Sequence, residues 1–206
     1  MSFDAITVGG GLAGSTLATA LARAGRKVLV LERETQFKDR VRGENMLPWG
    51  VAAARRLGLV DDLLAAGGHQ PRAWITYMFG KTLSAVKNGV ALIGDAAVSS
   101  DPSWGCGLSQ TLLDVEHLAN ALCAGDDWTP ALDRYAKEHD EYSSALRRIL
   151  GWMTELTWTP GPEADERRGR VFPRMMSDPR GFPDAIGQGP YGPNDEQARR
   201  LVLGLD

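Results

Sequence analysis

The pattern of hydrophobic and polar positions near the N-terminus predicts a strand, a helix and a second strand in close succession. Residues 4–8 form a short apolar run that is typical of a buried strand. Apolar residues then recur at steps of three and four between Leu17 and Ala24, as in a helix with one buried face, and Gly25 stands where such a helix ends. Residues 27–31 form a second apolar run, of the kind found in buried parallel strands. Together these elements predict a compact βαβ unit.

Four more helices and two more strands are predicted up to residue 158. They are, in chain order, helices at 48–57 and 60–66, strands at 74–79 and 90–93, a helix at 108–122, and a long amphipathic helix that ends near residue 156. Asp127 or Thr129 is expected to cap the long helix, with Pro130 at its first position. The remaining residues, 159–206, are rich in proline and glycine, and we expect an extended wrap or a partly disordered tail, with one short helix near 195–203. We therefore predict a single domain over 1–158 and a C-terminal extension over 159–206.

The composition restricts the class of protein. The 206 residues are 43% hydrophobic and 24% charged, as in soluble globular domains, and the net charge of −3 provides no basic field for nucleic acid. The two cysteines are too few for a disulfide framework. The N-terminus lacks the pattern of a secretion signal, and no run is long and apolar enough to span a bilayer. We expect a cytoplasmic protein with neither nucleic-acid nor membrane partners.

Three glycines between the first predicted strand and helix indicate a phosphate-binding loop. Gly9, Gly11 and Gly14 have the spacing G-x-G-x-x-G. Gly9 permits a tight turn, Gly11 leaves room for a pyrophosphate beside the backbone, and Gly14 lets the helix pack against the sheet. Leu12 and Ala13 lie at the start of the helix, whose free N–H groups and partial positive charge attract phosphates. We interpret these residues as part of a dinucleotide site.

An acidic residue at the end of the second predicted strand fits the same ligand. Glu32 lies at about the distance expected for the ribose-binding acid of a dinucleotide site, and Arg33 follows it. The carboxylate can accept hydrogen bonds from both hydroxyls of an adenosine ribose, and it would repel a 2′-phosphate, which disfavours NADP here. The glycine motif and the acid do not distinguish FAD from NAD.

A second candidate site follows the predicted strand at 90–93. Asp95 is expected at the carboxyl end of this strand, and Gly94 before it allows a close backbone approach. Gly107 opens the next predicted helix, whose positive end suits an electron-rich ring edge. The residues of this second site are Gly94, Asp95, Ala96, Pro102, Gly105, Cys106, Gly107 and Leu108.

The motifs in this second site resemble those of a known family. Residues 94–97 read G-D-A-A and residues 102–107 read P-S-W-G-C-G. They are similar to the G-D-A-A-H and P-x-x-G-x-G motifs of the p-hydroxybenzoate-hydroxylase-type family, the class A flavin monooxygenases, and related flavin halogenases. Val98 stands where that family has histidine, and Arg42-Gly43-Glu44 is similar to a further family segment. The resemblance covers roughly residues 2–66 and 85–156.

The resemblance implies an α/β, Rossmann-like FAD-binding fold of the glutathione-reductase type, with a central parallel sheet flanked by helices. It implies that Asp95 binds the ribitol chain of FAD. Gly105, Gly107 and Leu108 would then lie along the isoalloxazine ring. Arg42 and Arg40 would approach the phosphates or the ribitol. NADH or NADPH would serve as the reductant.

One part of the family pattern is missing. Family members carry a β-rich substrate domain and an Asp-Gly motif between the two matching blocks, whereas here only residues 67–87 separate the blocks and no aspartate precedes a glycine. We expect a deletion junction near residues 80–84, natural or engineered. A minimal FAD domain of this kind would bind a small aromatic substrate only if a substrate site survives, and hydroxylation would be lost or poor because the flavin is uncovered.

Three functions remain open from the sequence. The first is an oxidoreductase in which FAD is reduced by a nicotinamide cofactor and reoxidised by oxygen, with no side chain standing out as a catalytic acid or base. The second is a non-catalytic FAD-binding module. An NAD-dependent dehydrogenase ranks last because it leaves the motifs at 94–107 unexplained. Cys106 is interpreted as a small packing residue rather than as a redox-active thiol.

Overall fold

The computed structural model describes residues 2–37, 45–68, 86–87, 90–98 and 104–206. The strands are β1 (Ala5–Val8), β2 (Val28–Leu31), β3 (Val86–Lys87) and β4 (Val90–Ala91). The helices are α1 (Leu12–Arg23), α2 (Pro48–Arg56), α3 (Val60–Ala65), α4 (Gly107–Cys123), α5 (Trp128–Trp158), α6 (Pro162–Ser177) and α7 (Glu196–Leu203), with short 3₁₀ turns at Gly94–Ala96 and Gly189–Tyr191. The strand predicted at 74–79 and the junction predicted at 80–84 lie outside the described residues.

The predicted βαβ unit is present. Strands β1 and β2 pair in parallel, with Ala5 opposite Val28 and Val8 opposite Leu31, and α1 connects them. Gly25 follows α1 with a φ of 81°, a left-handed conformation that favours glycine at a helix end. The small parallel sheet within a mostly helical chain confirms the α/β fold.

The expectation that both strands are buried is wrong. Thr7 is buried on the face that α1 covers, whereas Ile6 and Val8 are 59% and 86% exposed on the other face. Val30 and Leu31 of β2 are exposed as well. Successive side chains of a strand point to opposite faces, so Ile6 and Val8 lie on the face opposite Thr7, whereas the adjacent Val30 and Leu31 leave both faces of β2 exposed at its end.

The strand predicted at 90–93 is shorter and differently paired. Only Val90–Ala91 forms a strand, and it pairs antiparallel with Val86–Lys87 rather than joining β1 and β2. Asp95 therefore lies in the 3₁₀ turn Gly94–Ala96 and not directly at the end of a buried parallel strand. Leu92 and Ile93 still pack partly buried against the main hydrophobic core.

Helix α4 forms the centre of the molecule and confirms the helix predicted from Leu108. The core around it contains Leu21 of α1, Val115 and Leu118 of α4, Tyr135 of α5, and Val98. Burial of this apolar surface is the main stabilising contribution to such a helical layer.

Helix α5 confirms the predicted long amphipathic helix. Asp127 caps it by accepting a hydrogen bond from the Thr129 amide at 3.1 Å, and Pro130 is its third residue rather than its first. Its buried stripe includes Tyr135, His139, Tyr142, Leu146, Ile149 and Leu156. Among the residues described, no helix is both long and apolar enough to cross a bilayer.

The extended wrap or disordered tail predicted after residue 159 is wrong for Pro162–Ser177, which form helix α6. Proline is tolerated in the first turn of a helix, and Arg168 donates hydrogen bonds to the carbonyls of Leu156, Thr157 and Thr159 at the end of α5.

The predicted short helix is present as α7, capped by Asp195, which accepts from the Ala198 amide. A buried cluster of Leu156, Val171, Phe182, Val202 and Leu203 joins α6 and α7 to α5. The domain boundary at 158 stays a prediction.

Candidate cofactor site

The glycine motif forms a tight loop between β1 and α1. Gly9 adopts a φ of 100°, which only glycine reaches without strain. A Cβ on Gly14 would clash with the carbonyl oxygen of Gly9, so the first turn of α1 lies directly against the loop. The roles predicted for Gly9 and Gly14 therefore agree with their geometry.

The start of α1 is open in the way that a phosphate requires. Gly11 is the N-cap and makes no side-chain capping hydrogen bond, and the first turn contains no acidic residue. A Cβ added to Gly11 would meet nothing within 4 Å. Leu12 and Ala13 begin the helix, so their N–H groups lack partners within the helix and are available to an anion.

Glu32 joins the end of β2 to the glycine loop. Its carboxylate accepts a hydrogen bond from the Gly10 amide at 2.6 Å and another from the Glu34 amide at 2.8 Å. The bond from Glu34 and then that from Gly10 lower the pKa of Glu32, so the carboxylate is ionised at neutral pH. Arg33 is exposed and forms a 3.4 Å ion pair with Glu34. A carboxylate has two acceptor oxygens, which suits the two donor hydroxyls of a ribose.

The Gly94–Ala96 turn lies beside the start of α1. Gly94 has a φ of 62°, and a Cβ placed there would approach the Ala13 Cβ to 3.6 Å and the Thr111 Oγ1 to 3.0 Å. The turn therefore fits between α1 and α4. Asp95 and Ala96 are exposed at its outer side. The two sites predicted from separate parts of the sequence are brought together at this point.

The start of α4 supplies the other residues of the second site. Gly105 has a φ of 63°, and Gly105, Gly107 and Leu108 are half-buried. Cys106 is the N-cap of α4, and its fully buried side chain lies in an apolar cluster with Trp104. Burial raises the pKa of the Cys106 thiol to about 12, which favours the packing interpretation over a reactive thiol.

A buried polar group beneath the turn was not predicted. Asp114 of α4 is fully buried and accepts hydrogen bonds from the Gly94 amide at 2.8 Å and from the Tyr142 hydroxyl at 2.6 Å. Burial raises the pKa of Asp114 to about 7. The sequence signal that could have indicated this group is an aspartate directly before the apolar Val115, within the stripe that α4 buries.

Some predicted site residues remain untested by geometry. Arg40, Arg42 and Pro102 lie outside the described residues. Within the described ranges, no group of three or more histidine, cysteine, aspartate or glutamate side chains is arranged to hold a metal ion.

The described residues fit FAD. The open backbone at Gly11 and the ionised carboxylate of Glu32 match a pyrophosphate and an adenosine ribose. The Gly94–Ala96 turn, which carries the exposed Asp95, lies beside Ala13, and the first turn of α4 contains no acidic residue, which suits the flavin half of an extended ligand. Each of the two predicted sites therefore combines a helix start that lacks acidic residues with one exposed acid, Glu32 or Asp95.

Comparison with known proteins gives the same cofactor. Residues 2–86 match the family described as FAD binding domain. The chain is 57% identical over 61 residues to a squalene monooxygenase of Eremothecium gossypii, 50% identical over 63 residues to a squalene epoxidase of Candida albicans, and 38% identical over 74 residues to a squalene monooxygenase of Rattus norvegicus.

These matches are confined to a segment. They cover 30%, 31% and 36% of this chain and only 12%, 13% and 13% of the three relatives. No solved structure matches the chain. The matches confirm the resemblance to flavin-dependent monooxygenases, and residues 2–86 are similar to an FAD-binding domain.

Proposed function

We propose that the protein binds FAD in an extended conformation and acts as a flavin-dependent oxidoreductase that takes electrons from NADH or NADPH and passes them to oxygen. The observation that carries this proposal is the contact between the two sites. A Cβ on Gly94 would lie 3.6 Å from the Ala13 Cβ, which supports a ligand that would bind at the start of α1 and reach the Gly94–Ala96 turn.

The glycine loop and Glu32 would hold the adenosine half. Gly11, where no side chain intervenes, would leave room for the pyrophosphate, and the first N–H groups of α1 would donate hydrogen bonds to it. The Glu32 carboxylate is already oriented by Gly10 and Glu34, so little conformational freedom is lost when it accepts the ribose hydroxyls.

The turn at Gly94 and the start of α4 would hold the flavin half. By the family resemblance, Asp95 accepts hydrogen bonds from the ribitol hydroxyls, and Gly105, Gly107 and Leu108 lie along the ring. The first turn of α4 contains no acidic residue, so its positive end is free to face the electron-rich edge of the flavin.

When bound, FAD supplies the redox chemistry, since it accepts two electrons as hydride from a reduced nicotinamide and can release them to oxygen. The residues of this chain bind and orient it. Asp95 and Ala96 are exposed, so water has access to the flavin side of the site. Efficient hydroxylation requires that water be kept out, and we therefore propose that most turnover ends in hydrogen peroxide rather than in an oxygenated product.

The test is an absorption spectrum of the purified protein after incubation with excess FAD and removal of free cofactor. A bound flavin spectrum is expected, with the pigment identified as FAD after heat release. Anaerobic addition of NADH or NADPH should bleach it, and oxygen should restore the colour with release of hydrogen peroxide.

Each failure has a separate meaning in this experiment. A protein that stays colourless overturns FAD binding. A yellow protein that neither NADH nor NADPH bleaches overturns the oxidoreductase and leaves a non-catalytic FAD-binding module. Tightly coupled hydroxylation of an aromatic compound overturns the proposal that turnover ends in peroxide.

A further inference from the structure

The Gly94–Ala96 turn is held from below by a carboxylate that does not face the cofactor. Asp114 lies in α4, fully buried, with one oxygen 2.8 Å from the Gly94 amide and the other 2.6 Å from the Tyr142 hydroxyl. Thr111, one turn earlier in α4, lies beside the same glycine. Its Oγ1 is 3.0 Å from the position that a Cβ on Gly94 would occupy. The backbone of the turn is therefore fixed against α4 at a single residue, the one before Asp95.

Helix α5 supports the same segment through the hydroxyls of two tyrosines. The Tyr135 hydroxyl donates to the Leu92 carbonyl at 2.8 Å, and the Tyr142 hydroxyl donates to Asp114. The two tyrosines are seven residues apart and lie on the buried stripe of α5. The Tyr142 ring is itself enclosed by the rings of His117 and His139, at centroid distances of 5.0 and 5.3 Å. The position of its hydroxyl is therefore determined by packing.

A buried carboxylate is costly for stability alone. Removing a carboxylate from water costs several kcal/mol, and an apolar residue of similar size is often at least as stabilising at such a position. Asp114 is placed where a side chain with two acceptor oxygens can bind a backbone amide and a phenol at once. What this arrangement provides, and an apolar residue does not, is a fixed direction for the Gly94 peptide.

We propose that Asp114, oriented by Tyr142, is a positioning residue for the flavin half of the site. By holding the Gly94 amide, it sets the position from which Asp95 presents its carboxylate to the ribitol of FAD. This inference rests on the proposed binding of FAD. It assigns to α5, which has no residue in the predicted cofactor site, an indirect part in cofactor affinity.

Three variants separate positioning from general stability. Asp114→Ala removes the acceptor of the Gly94 amide. Asp114→Asn keeps a carbonyl oxygen for Gly94 and offers an N–H to the Tyr142 oxygen, so it should rescue binding. Tyr142→Phe leaves the carboxylate in place but removes the hydroxyl that orients it.

The measurement is the Kd of each folded variant for FAD and, as a probe of the adenosine half alone, for ADP. Asp114→Ala should raise the FAD Kd about tenfold or more, Tyr142→Phe about threefold, and Asp114→Asn less than threefold. The ADP Kd should stay within about twofold of wild type in all three. The visible circular dichroism of bound FAD should change in Asp114→Ala and Tyr142→Phe and return towards wild type in Asp114→Asn.

The outcomes are distinguishable. Wild-type protein that binds ADP but not FAD defeats the proposed function itself. If wild type binds FAD and the variants bind it equally well, or lose FAD and ADP affinity in parallel, the positioning role is overturned. Should Asp114→Ala fail to fold, the comparison of Tyr142→Phe with wild type decides, since that substitution removes one hydroxyl and keeps the ring.

Discussion

The carboxylate of Glu32 lies 2.6 Å from the amide of Gly10, so the acid at the end of β2 and the glycine loop after β1 form one unit before any ligand arrives. A second amide, from Glu34, binds the other oxygen at 2.8 Å. Because hydrogen bonds to a charged acceptor are strong, the orientation of Glu32 and the shape of the loop depend on each other. The acid therefore affects cofactor binding by direct contact and by shaping the loop.

Replacing Glu32 with alanine should weaken FAD binding more than tenfold, because both the ribose contact and the bond to Gly10 are lost. Binding of FMN, which lacks the adenosine, should change little. Fluorescence titration of the apoprotein measures both affinities. Glu34→Ala is the matched control, since it removes a neighbouring carboxylate and keeps the backbone amide that Glu32 binds. Equal losses in the two variants would contradict the role of Glu32.

Two glycines of the loop should respond differently to the same methyl group. Gly14→Ala places a Cβ against the Gly9 carbonyl, and we expect the free energy of unfolding to fall by about 2 kcal/mol or more, as in other overpacked sites. Gly11→Ala adds a Cβ that meets nothing within 4 Å, at a φ of −70°, so its effect on stability should be below about 1 kcal/mol. Chemical denaturation of both variants measures these values.

The contrast with cofactor binding makes this pair informative. Gly11→Ala should still reduce FAD affinity strongly, since its methyl group occupies the space over the loop where the pyrophosphate would lie. A Gly11→Ala protein that is folded and binds FAD as tightly as wild type would mean that the phosphates lie elsewhere.

The sequence predicted the features that depend on neighbouring residues. The roles of Gly9 and Gly14 follow from one short motif between a strand and a helix, and the buried stripe of α5 follows from its spacing. The bond between Asp114 and Tyr142 joins residues 28 positions apart on two helices, and no local pattern encodes how those helices pack.

Two wrong expectations have similar causes. Composition suggested an extended C-terminal segment, but the proline at the start of α6 is compatible with a helix, and Arg168 satisfies the carbonyls at the end of α5. The apolar runs of β1 and β2 suggested strands covered on both faces, whereas Ile6 and Val8 are exposed. An apolar pattern shows which residues can be buried and not which neighbours are available to cover them.

The two cysteines should differ in reactivity. Cys106 is buried and its pKa is raised to about 12, whereas Cys123 is exposed at the end of α4. A thiol reagent at pH 8 should modify one cysteine in the native protein and both after denaturation. Cys123→Ser should abolish the reaction of the native protein. Rapid modification of Cys106 in that variant would show that its side chain is accessible and would reopen a redox role.

Asp114 should make stability depend on pH near neutrality. Burial raises its pKa in the folded protein to about 7, above the ordinary value of 3.8. When folding raises the pKa of a group, its contribution to stability is fully present at a pH below its pKa in the unfolded chain. The contribution is lost as the pH rises through its pKa in the folded protein. The contribution of Asp114 should therefore fall between pH 5 and pH 8, by on the order of 2 kcal/mol.

Comparison with Asp114→Asn isolates this effect, because the asparagine does not titrate while the other ionisable groups are retained. The titratable groups that face Asp114 are His139, whose Nε2 lies 3.9 Å from it, and the hydroxyls of Tyr142 and Tyr135. Burial lowers the pKa of His139 and raises that of Tyr142, so both should stay neutral over most of this range. Urea denaturation at pH 5 and pH 8 should show wild type losing stability relative to Asp114→Asn. If the difference in free energy of unfolding between the two proteins is the same at pH 5 and pH 8, Asp114 keeps one protonation state over this range. The Gly94 amide would then donate to a side chain of the same charge at either pH.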